Sequence, residues 1–277
     1  MMIVSTLDEL RSARLLLDRK LGLVPTMGYL HEGHISLARR AKAECDYVVV
    51  SIFINPTQFG PNEDLSKYPR DLERDLHLLE DAGVDLVWTP TPEVMYPAGF
   101  QTWVEVEEMT RPLEGAQRPG HFRGVTTVVA KLFNAVQPTK AYFGQKDAQR
   151  AAVIRQMTKD LNFPIEIVVC PIVREPDGLA MSSRNVYLDA DQRKAATVLY
   201  RSLSAAKIAY EKGERDAEKL RQIMKATIAS EPLAQLQYVS CADYDTLQEL
   251  EKVSGKTLLS MAVLVGKTRL IDNFVLG

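Results

Sequence analysis

The chain has 277 residues, 46% of them hydrophobic, enough for a sizeable core and for about two domains. Its 34 Lys and Arg against 36 Asp and Glu leave a net charge of −2, which excludes the basic footprint of a duplex nucleic-acid or anionic-membrane binder. The widely spaced Cys45, Cys170 and Cys241 lack CxxC spacing, and the longest apolar run, Tyr47–Ile54, falls short of the ~20 residues of a membrane span. With charges throughout its first twenty residues the chain shows no secretory h-region, so small molecules or like subunits are the expected partners and the cytoplasm the expected location.

Thr6–Arg19 places Leu7, Leu10, Ala13 and Leu17 on one face behind a Thr6 N-cap and predicts a helix. A strand at Leu21–Val24 follows, then a tight loop and a helix over His34–Glu44 that buries Ile35, Leu37, Ala38 and Ala41. Tyr47–Ile54 is apolar at nearly every position, as a strand covered on both faces must be. Asp71–Ala82 reads as a helix through Leu72, Leu76 and Leu79, and Val84–Trp88 as the next strand. After a proline-rich turn, Gln101–Val106 alternates like a strand, and Arg111–Gly124 is a long Gly/Pro/Arg loop. A helix over Val125–Val136, a short strand at Ala141–Phe143, a helix over Ala148–Leu161 and a buried strand at Ile165–Cys170 complete the first unit.

This alternation predicts an α/β, Rossmann-like, doubly wound parallel sheet over residues 1–176. Beyond Pro176–Asn185 come two charged amphipathic helices, Asp189–Lys212 and Asp216–Ser230, and strand-like runs at Gln237–Ala242, Thr257–Val265 and Thr268–Phe274. They predict a smaller α+β unit over residues 177–277, with no internal repeat.

The stretch LGLVPTMGYLHEGHISLARR, Leu21–Arg40, organises the first unit. It brings His31 and His34 to the start of a helix, where unpaired N–H groups and the macrodipole favour an anion. Gly28 and Gly33 let the backbone approach a ligand closely. On this stretch alone the two histidines could equally be a helical metal pair or ordinary surface residues. Three other loops follow strands at the same sheet edge: Asn55–Phe59, Gly144–Asp147 and Met181–Asn185. Lys146 offers a point charge, Arg184 a planar fork, and Ser182 and Ser183 hydroxyl donors, a set suited to a polyphosphate. Singly, Lys146 reads as a solvated lysine and Ser182-Ser183 as a turn. No GxxxxGK[ST], GxGxxG or GxSxG motif occurs, which disfavours γ-phosphoryl transfer, dinucleotide redox chemistry and a nucleophile elbow. An His-x-Gly-His pair with a Ser-Ser-Arg loop points to attack at the α-phosphorus with pyrophosphate leaving.

Five blocks carry a family resemblance: Pro25–His34, Phe53–Arg70, Arg111–Asn134, Tyr142–Gln149 and Asp177–Asn185. In this order, and across essentially the whole chain, they resemble the pantothenate synthetases, the pantoate-β-alanine ligases of the HxGH nucleotidyltransferases. The resemblance implies ligation of pantoate and β-alanine at the expense of ATP, with Mg2+, through a pantoyl adenylate, and a homodimer. It implies an ATP site lined by Met27, Gly28, Tyr29, Leu30, His31, Glu32, Gly33 and His34, by Gly144, Gln145, Lys146 and Asp147, by Val173 at the adenine, and by Met181, Ser182, Ser183 and Arg184 closing over the phosphates. Within that set, His31, His34, Lys146, Ser182, Ser183 and Arg184 take the catalytic roles, His34 as proton donor and phosphate stabiliser. Gln58 binds pantoate, with Asn55 close by. No metal ligand is singled out, and either Phe100–Met109 or Arg111–Asn134 contributes to dimerisation.

One departure stands out. The family carries a second glutamine where this chain follows Gln149 with Arg150. Arg150 either pairs with the pantoate carboxylate or points away and leaves Gln149 in the role. Three rival readings compete: a nucleotidyltransferase acting on another small acid, a non-catalytic nucleotide sensor on the same fold, and an aminoacyl-tRNA synthetase. The last is disfavoured by the missing anticodon-binding appendage and basic surface.

Overall fold

In the second strand of the chain Leu21 and Leu23 face one side and Val24 the other, and this period of two sorts the first unit's helices onto two faces. The computed structural model describes residues 1–61 and 63–277; Asn62, within the Phe53–Arg70 block of the resemblance, lies outside the described residues. The strands of the larger sheet are β1 (Met2–Val4), β2 (Leu21–Thr26), β3 (Tyr47–Ile52), β4 (Leu86–Trp88), β5 (Lys140–Gly144) and β6 (Glu166–Cys170). Their spatial order is β1-β4-β3-β2-β5-β6, all neighbours parallel. From β2 the chain winds one way through β3 and β4, and the other half of the sheet runs from β5 to β6 on the opposite side. The order therefore reverses between β2 and β5, where a crevice opens beyond the strand ends.

Helices α1 (Leu7–Arg14), α6 (His121–Val136) and α7 (Ala148–Asp160) pack with Leu21, Leu23, Val49, Ala141 and Phe143 on one face. Helices α2 (Glu32–Glu44) and α3 (Leu72–Asp81) pack with Val24, Val48, Val50, Val87 and Tyr142 on the other. Each fully buried Leu or Val contributes about 1.5–3 kcal/mol. Two short helices, α4 (Pro92–Met95) and α5 (Glu114–Gln117), lie in the connection before α6. The smaller unit is an antiparallel sheet, β7 (Ala234–Asp243), β8 (Thr257–Val265) and β9 (Thr268–Leu276), covered by α9 (Val198–Glu211) and α10 (Ala217–Ala229), with α8 (Ala190–Ala195) leading in.

The expected α/β architecture is what the chain adopts, with local differences. Gln101–Val106 is not a strand: Val104 is held by α6, its N–H donating to Thr127 Oγ1 (3.0 Å) and its carbonyl accepting from Thr126 Oγ1 (2.6 Å). Side-chain hydroxyls replace a ladder there, and outward polar residues mimic strand alternation. The helix expected over Asp189–Lys212 is two, α8 and α9, broken at Ala196-Thr197, where Thr197 Oγ1 donates back to the Lys194 carbonyl (2.7 Å). Helix α1 ends at Arg14, whose guanidinium donates to the Leu17 and Val136 carbonyls, and β1 adds an edge strand beside β4.

Gly124 of α6 meets the Asn55–Gln58 turn so closely that a Cβ would stand 2.4 Å from the Thr57 carbonyl oxygen, and the Asn55 Nδ2 donates to the Gly124 carbonyl (3.1 Å). Gly124→Ala should push that turn away and lower stability by about 1–3 kcal/mol, read as a reduced denaturant midpoint at unchanged slope. An unchanged midpoint would contradict this packing.

Candidate active site

The loop after β2 turns through two consecutive left-handed residues, Gly28 (φ +80) and Tyr29 (φ +50). A non-glycine residue there costs about 1–2 kcal/mol. The buried Asp75 of α3 offsets that cost, its carboxylate accepting from Tyr29 N (2.6 Å) and Leu30 N (2.7 Å). Thr26 Oγ1 ties the loop to β3 through the Ser51 carbonyl (2.9 Å) and accepts from Gly28 N (3.3 Å). The loop is thus rigid before any ligand arrives.

His31 is the N-cap of α2, in extended backbone, and forms with His34 a reciprocal capping box. Its Nδ1 accepts from Gly33 N (3.1 Å), while its own N–H donates to His34 Nδ1 (3.4 Å), and the rings lie 4.1 Å apart. A Cβ on Gly33 would stand 2.8 Å from His31 Cε1. Burial, then the Lys146 charge, pushes His31 down to about 4; burial, then His31, pushes His34 down to about 3. Both imidazoles are neutral at pH 7, and because each Nδ1 accepts, the hydrogen-bond network assigns each proton to Nε2.

At the end of β5 the chain tightens into a 3-10 turn, Gln145–Asp147, which presents Lys146 and Asp147. Burial raises the Asp147 carboxyl, but Lys146 and then Arg150 outweigh it and hold the group below the ordinary carboxylate range. After β6 a hairpin closes with Met181 N donating to the Val173 carbonyl (3.0 Å) and delivers Ser182, Ser183 and Arg184. Ser183 Oγ donates to the Tyr29 carbonyl (3.1 Å), which joins this loop to the histidine loop. Arg184 makes a bidentate pair with Asp64 (3.0 and 2.9 Å).

These loops bound two adjacent cavities of about 360 and 140 Å³. The smaller is walled by His31, Gly33, His34, Gly144, Val173, Met181 and Ser183, the larger by Gln58, Arg118, His121, Gln149 and residues of β8 and β9. Six residues line both: Met27, Lys146, Asp147, Arg150, Ser182 and Arg184. Neither wall includes Gly28, Tyr29, Leu30, Glu32, Gln145 or Asn55. Leu30 is packed in the α2-α3 core, and Glu32 is exposed in an ion pair with Arg39. Buried Asn55 bonds Gln58, Thr57, Tyr96 and the Gly124 carbonyl, so its amide shapes the turn that presents Gln58. Gln149 holds the 109–114 loop, donating to the Met109 and Pro112 carbonyls (2.9 Å each) and accepting from Glu114 N (2.9 Å). Arg150 has no carboxylate partner among the described residues, and its Nε is buried without a hydrogen bond.

Several wall residues were assigned no role from the sequence. His121 Nδ1 donates to the Gln58 carbonyl (2.8 Å), and its Nε2 accepts from Arg118 (3.1 Å). Burial, then the Arg118 charge, pushes it down to about 4. Arg118 also pairs with Glu63 (2.6 Å), and the Glu114 carboxylate takes both Arg269 and the Tyr238 hydroxyl (2.8 Å). The available signal was an Arg-x-x-His pair in a loop otherwise rich in Gly and Pro.

Residues 2–275 match the family model described as pantoate-beta-alanine ligase. The chain belongs to that family. A pantothenate synthetase of Roseiflexus sp. (strain RS-1) is 62% identical over 276 residues, covering 100% of this chain and 99% of that one. The crystal structure of pantothenate synthetase from Thermus thermophilus superposes with TM-score 0.95 at 48% identity over 99% of both chains. A pantoate-beta-alanine ligase from Francisella tularensis, complexed with beta-gamma ATP and beta-alanine, gives TM-score 0.81 at 38% identity over 99% of this chain and 97% of that one.

As a pantoate-beta-alanine ligase the chain is an amide-forming enzyme. Among the described residues no three His, Cys, Asp or Glu side chains cluster as a metal cage. Mg2+ needs only one or two carboxylates when phosphates and waters supply the rest, and Asp147, held ionised in the shared wall, fits that demand. The two histidine shifts lead to a pH prediction. Both groups are depressed bases, so the neutral form stabilises the fold above about pH 6.5, and that contribution is lost as pH falls toward about 4 for His31 and about 3 for His34. Imidazole NMR of the unliganded protein should show His31 and His34 neutral at about pH 6, protonated on Nε2. An imidazolium at either position at that pH would contradict the assigned environment.

Proposed function

We propose that the chain joins pantoate to β-alanine at the meeting of the two cavities, with ATP entering the smaller and pantoate the larger. The supporting observation is the shared wall, where Lys146, Arg150, Arg184 and Ser182 face both spaces. A pantoate carboxylate oxygen attacks the α-phosphorus, the bond to the bridging oxygen breaks, and pyrophosphate leaves. The β-alanine amine then attacks the acyl carbon of the pantoyl adenylate, loses a proton and displaces AMP. Neutral His31 and His34 donate Nε2–H to the phosphates, a preorganised dipole pair whose removal costs on the order of 10²–10³ in rate. Lys146 and Arg184 supply charge, and Ser182 and Ser183 hydroxyl donors. Mg2+ bound with the triphosphate supplies neutralising charge. In this reading Met27, Gly144 and Asp147 stay with the nucleotide, Val173 and Met181 with the adenine side, Gly28 to Leu30, Glu32 and Gly33 shape the loop, and Gln145, outside both walls, anchors the Lys146 turn through Asn273 and Tyr244.

For pantoate the reading takes Gln58 and Arg150. Gln149 has both ends of its amide engaged by the 109–114 loop, whereas Arg150 is an unpaired cation in the shared wall. A carboxylate is the natural partner of such a fork. Residues 177–277 and the loops Gln58–Tyr68 and Arg111–Gly124 act as covers that keep water from the acyl adenylate. A homodimer in the cytoplasm completes the reading. Sedimentation at twice the 31.0 kDa chain mass supports the dimer, and a monomer contradicts it.

With ATP, pantoate and β-alanine the protein should yield AMP, pyrophosphate and the amide in equal amounts. ADP and phosphate as products would overturn attack at the α-phosphorus. Arg150→Met should raise the KM for pantoate about 10- to 100-fold, the loss of one charged hydrogen bond, and leave the KM for ATP within about twofold. Equal rises for both substrates would remove Arg150 from the pantoate role.

A further inference from the structure

Strand β9 belongs to the smaller unit, yet one of its residues reaches the turn that carries Lys146. Asn273 is 2% exposed. Its Nδ2 donates to two successive carbonyls, Gln145 (2.9 Å) and Lys146 (3.0 Å), and its Oδ1 accepts from Gln145 Nε2 (2.9 Å). A single carboxamide thus satisfies the first two of the three main-chain acceptors of the 3-10 turn and the side chain of its first residue. A buried carbonyl without a donor costs about 1–3 kcal/mol, so the turn has one favoured place.

The amide is itself held. Asn273 N donates to the Asp272 carboxylate (2.8 Å), and Asp272 takes a bidentate pair from Arg174 (2.7 and 2.9 Å). The Arg174 guanidinium lies 5.0 Å from both the Tyr200 and the Phe274 ring centroids and also donates to the Gly178 carbonyl (2.9 Å). Arg174 stands in the hairpin that delivers Ser182, Ser183 and Arg184. Two neighbouring residues of β9 therefore touch the supports of both cationic loops. Gln145 is held from its other end by the Tyr244 hydroxyl (3.1 Å), again from the smaller unit.

We propose that Asn273 is a positioning residue for adenylation: it fixes the backbone of Lys146 so that the ammonium meets the phosphates, and so makes the smaller sheet part of the phosphate site. This rests on the reading of Lys146 as a phosphate-side cation. Asn273 also stands in the wall of the larger cavity, but both ends of its carboxamide are engaged by the turn, so its role is to position Lys146. Rates fall steeply when a catalytic charge is displaced by about 1 Å, on the order of 10²-fold.

A double-mutant cycle tests it, with single-turnover AMP formation from ATP and pantoate as the readout and circular dichroism melting to verify folding. Asn273→Ala should lower the adenylation rate about 10- to 100-fold with the KM for pantoate within about twofold. In a Lys146→Ala background the same change should cost no more than about twofold further, because nothing remains to be positioned. Asn273→Asp keeps the shape and the Gln145 acceptor but loses both donors, and should match Asn273→Ala. The proposal is overturned if either Asn273 variant keeps the wild-type rate, or if Asn273→Ala loses the same factor with and without Lys146. A Lys146→Ala protein as fast as wild type would instead bring down the reading of Lys146 itself, and the positioning role with it.

Discussion

Positive charge without a contact ion partner, at a crevice between two diverging strands, is the constraint on which this structure depends. Chain connections leave β2 and β5 in opposite directions, so no helix crosses the gap beyond their ends. Into that gap point the N-terminus of α2, the Lys146 turn and the Ser182–Arg184 loop. Lys146 and Arg150 have no carboxylate within 4.0 Å among the described residues, whereas Arg118, Arg174, Arg184 and Arg269 are all paired. In the proposed reading the unpaired cations Lys146 and Arg150 mark where anionic substrates complete the electrostatics. Arg118, Arg174 and Arg269 build the walls, and Arg184, though paired with Asp64, still lines both cavities.

Neutral histidines fit this economy of charge. A pair of imidazolium ions 4.1 Å apart beside Lys146 would repel one another in a half-buried site, and burial keeps both uncharged. As Nε2–H donors they add directed dipoles without adding charge, and the capping box that sets their tautomer also starts α2. Local sequence chemistry here does two jobs at once: it begins a helix and aims two donors.

What the sequence made legible was local. Gly28, Gly33, His31 and His34 declare a tight loop before a helix because their roles depend on neighbours three or four positions away. The apolar run Tyr47–Ile54 declares a strand buried on both faces, and its first six residues form one. Long-range partners were not legible: Asp75, 46 positions from Tyr29, reads as one more charge on an amphipathic helix, and Asn273, 127 positions from Lys146, as an ordinary strand residue. Gln101–Val106 imitated a strand because its outward polar residues alternate, while its backbone partners are two threonine hydroxyls of α6. The histidine loop shows the same division. Leu30 and Glu32 sit inside the motif, but Leu30, in the loop before the N-cap, packs into the core, and Glu32, in the first turn of α2, faces solvent.

If the two cavities are one reaction path, pantoate must be activated before β-alanine arrives. The direct measurement is exchange of labelled pyrophosphate into ATP with β-alanine omitted. The account requires exchange that depends on pantoate, because only a reversible adenylation at the shared wall can return label to the nucleotide. No exchange, in folded protein that still binds ATP, would contradict it and leave the smaller cavity as a nucleotide site without acid activation.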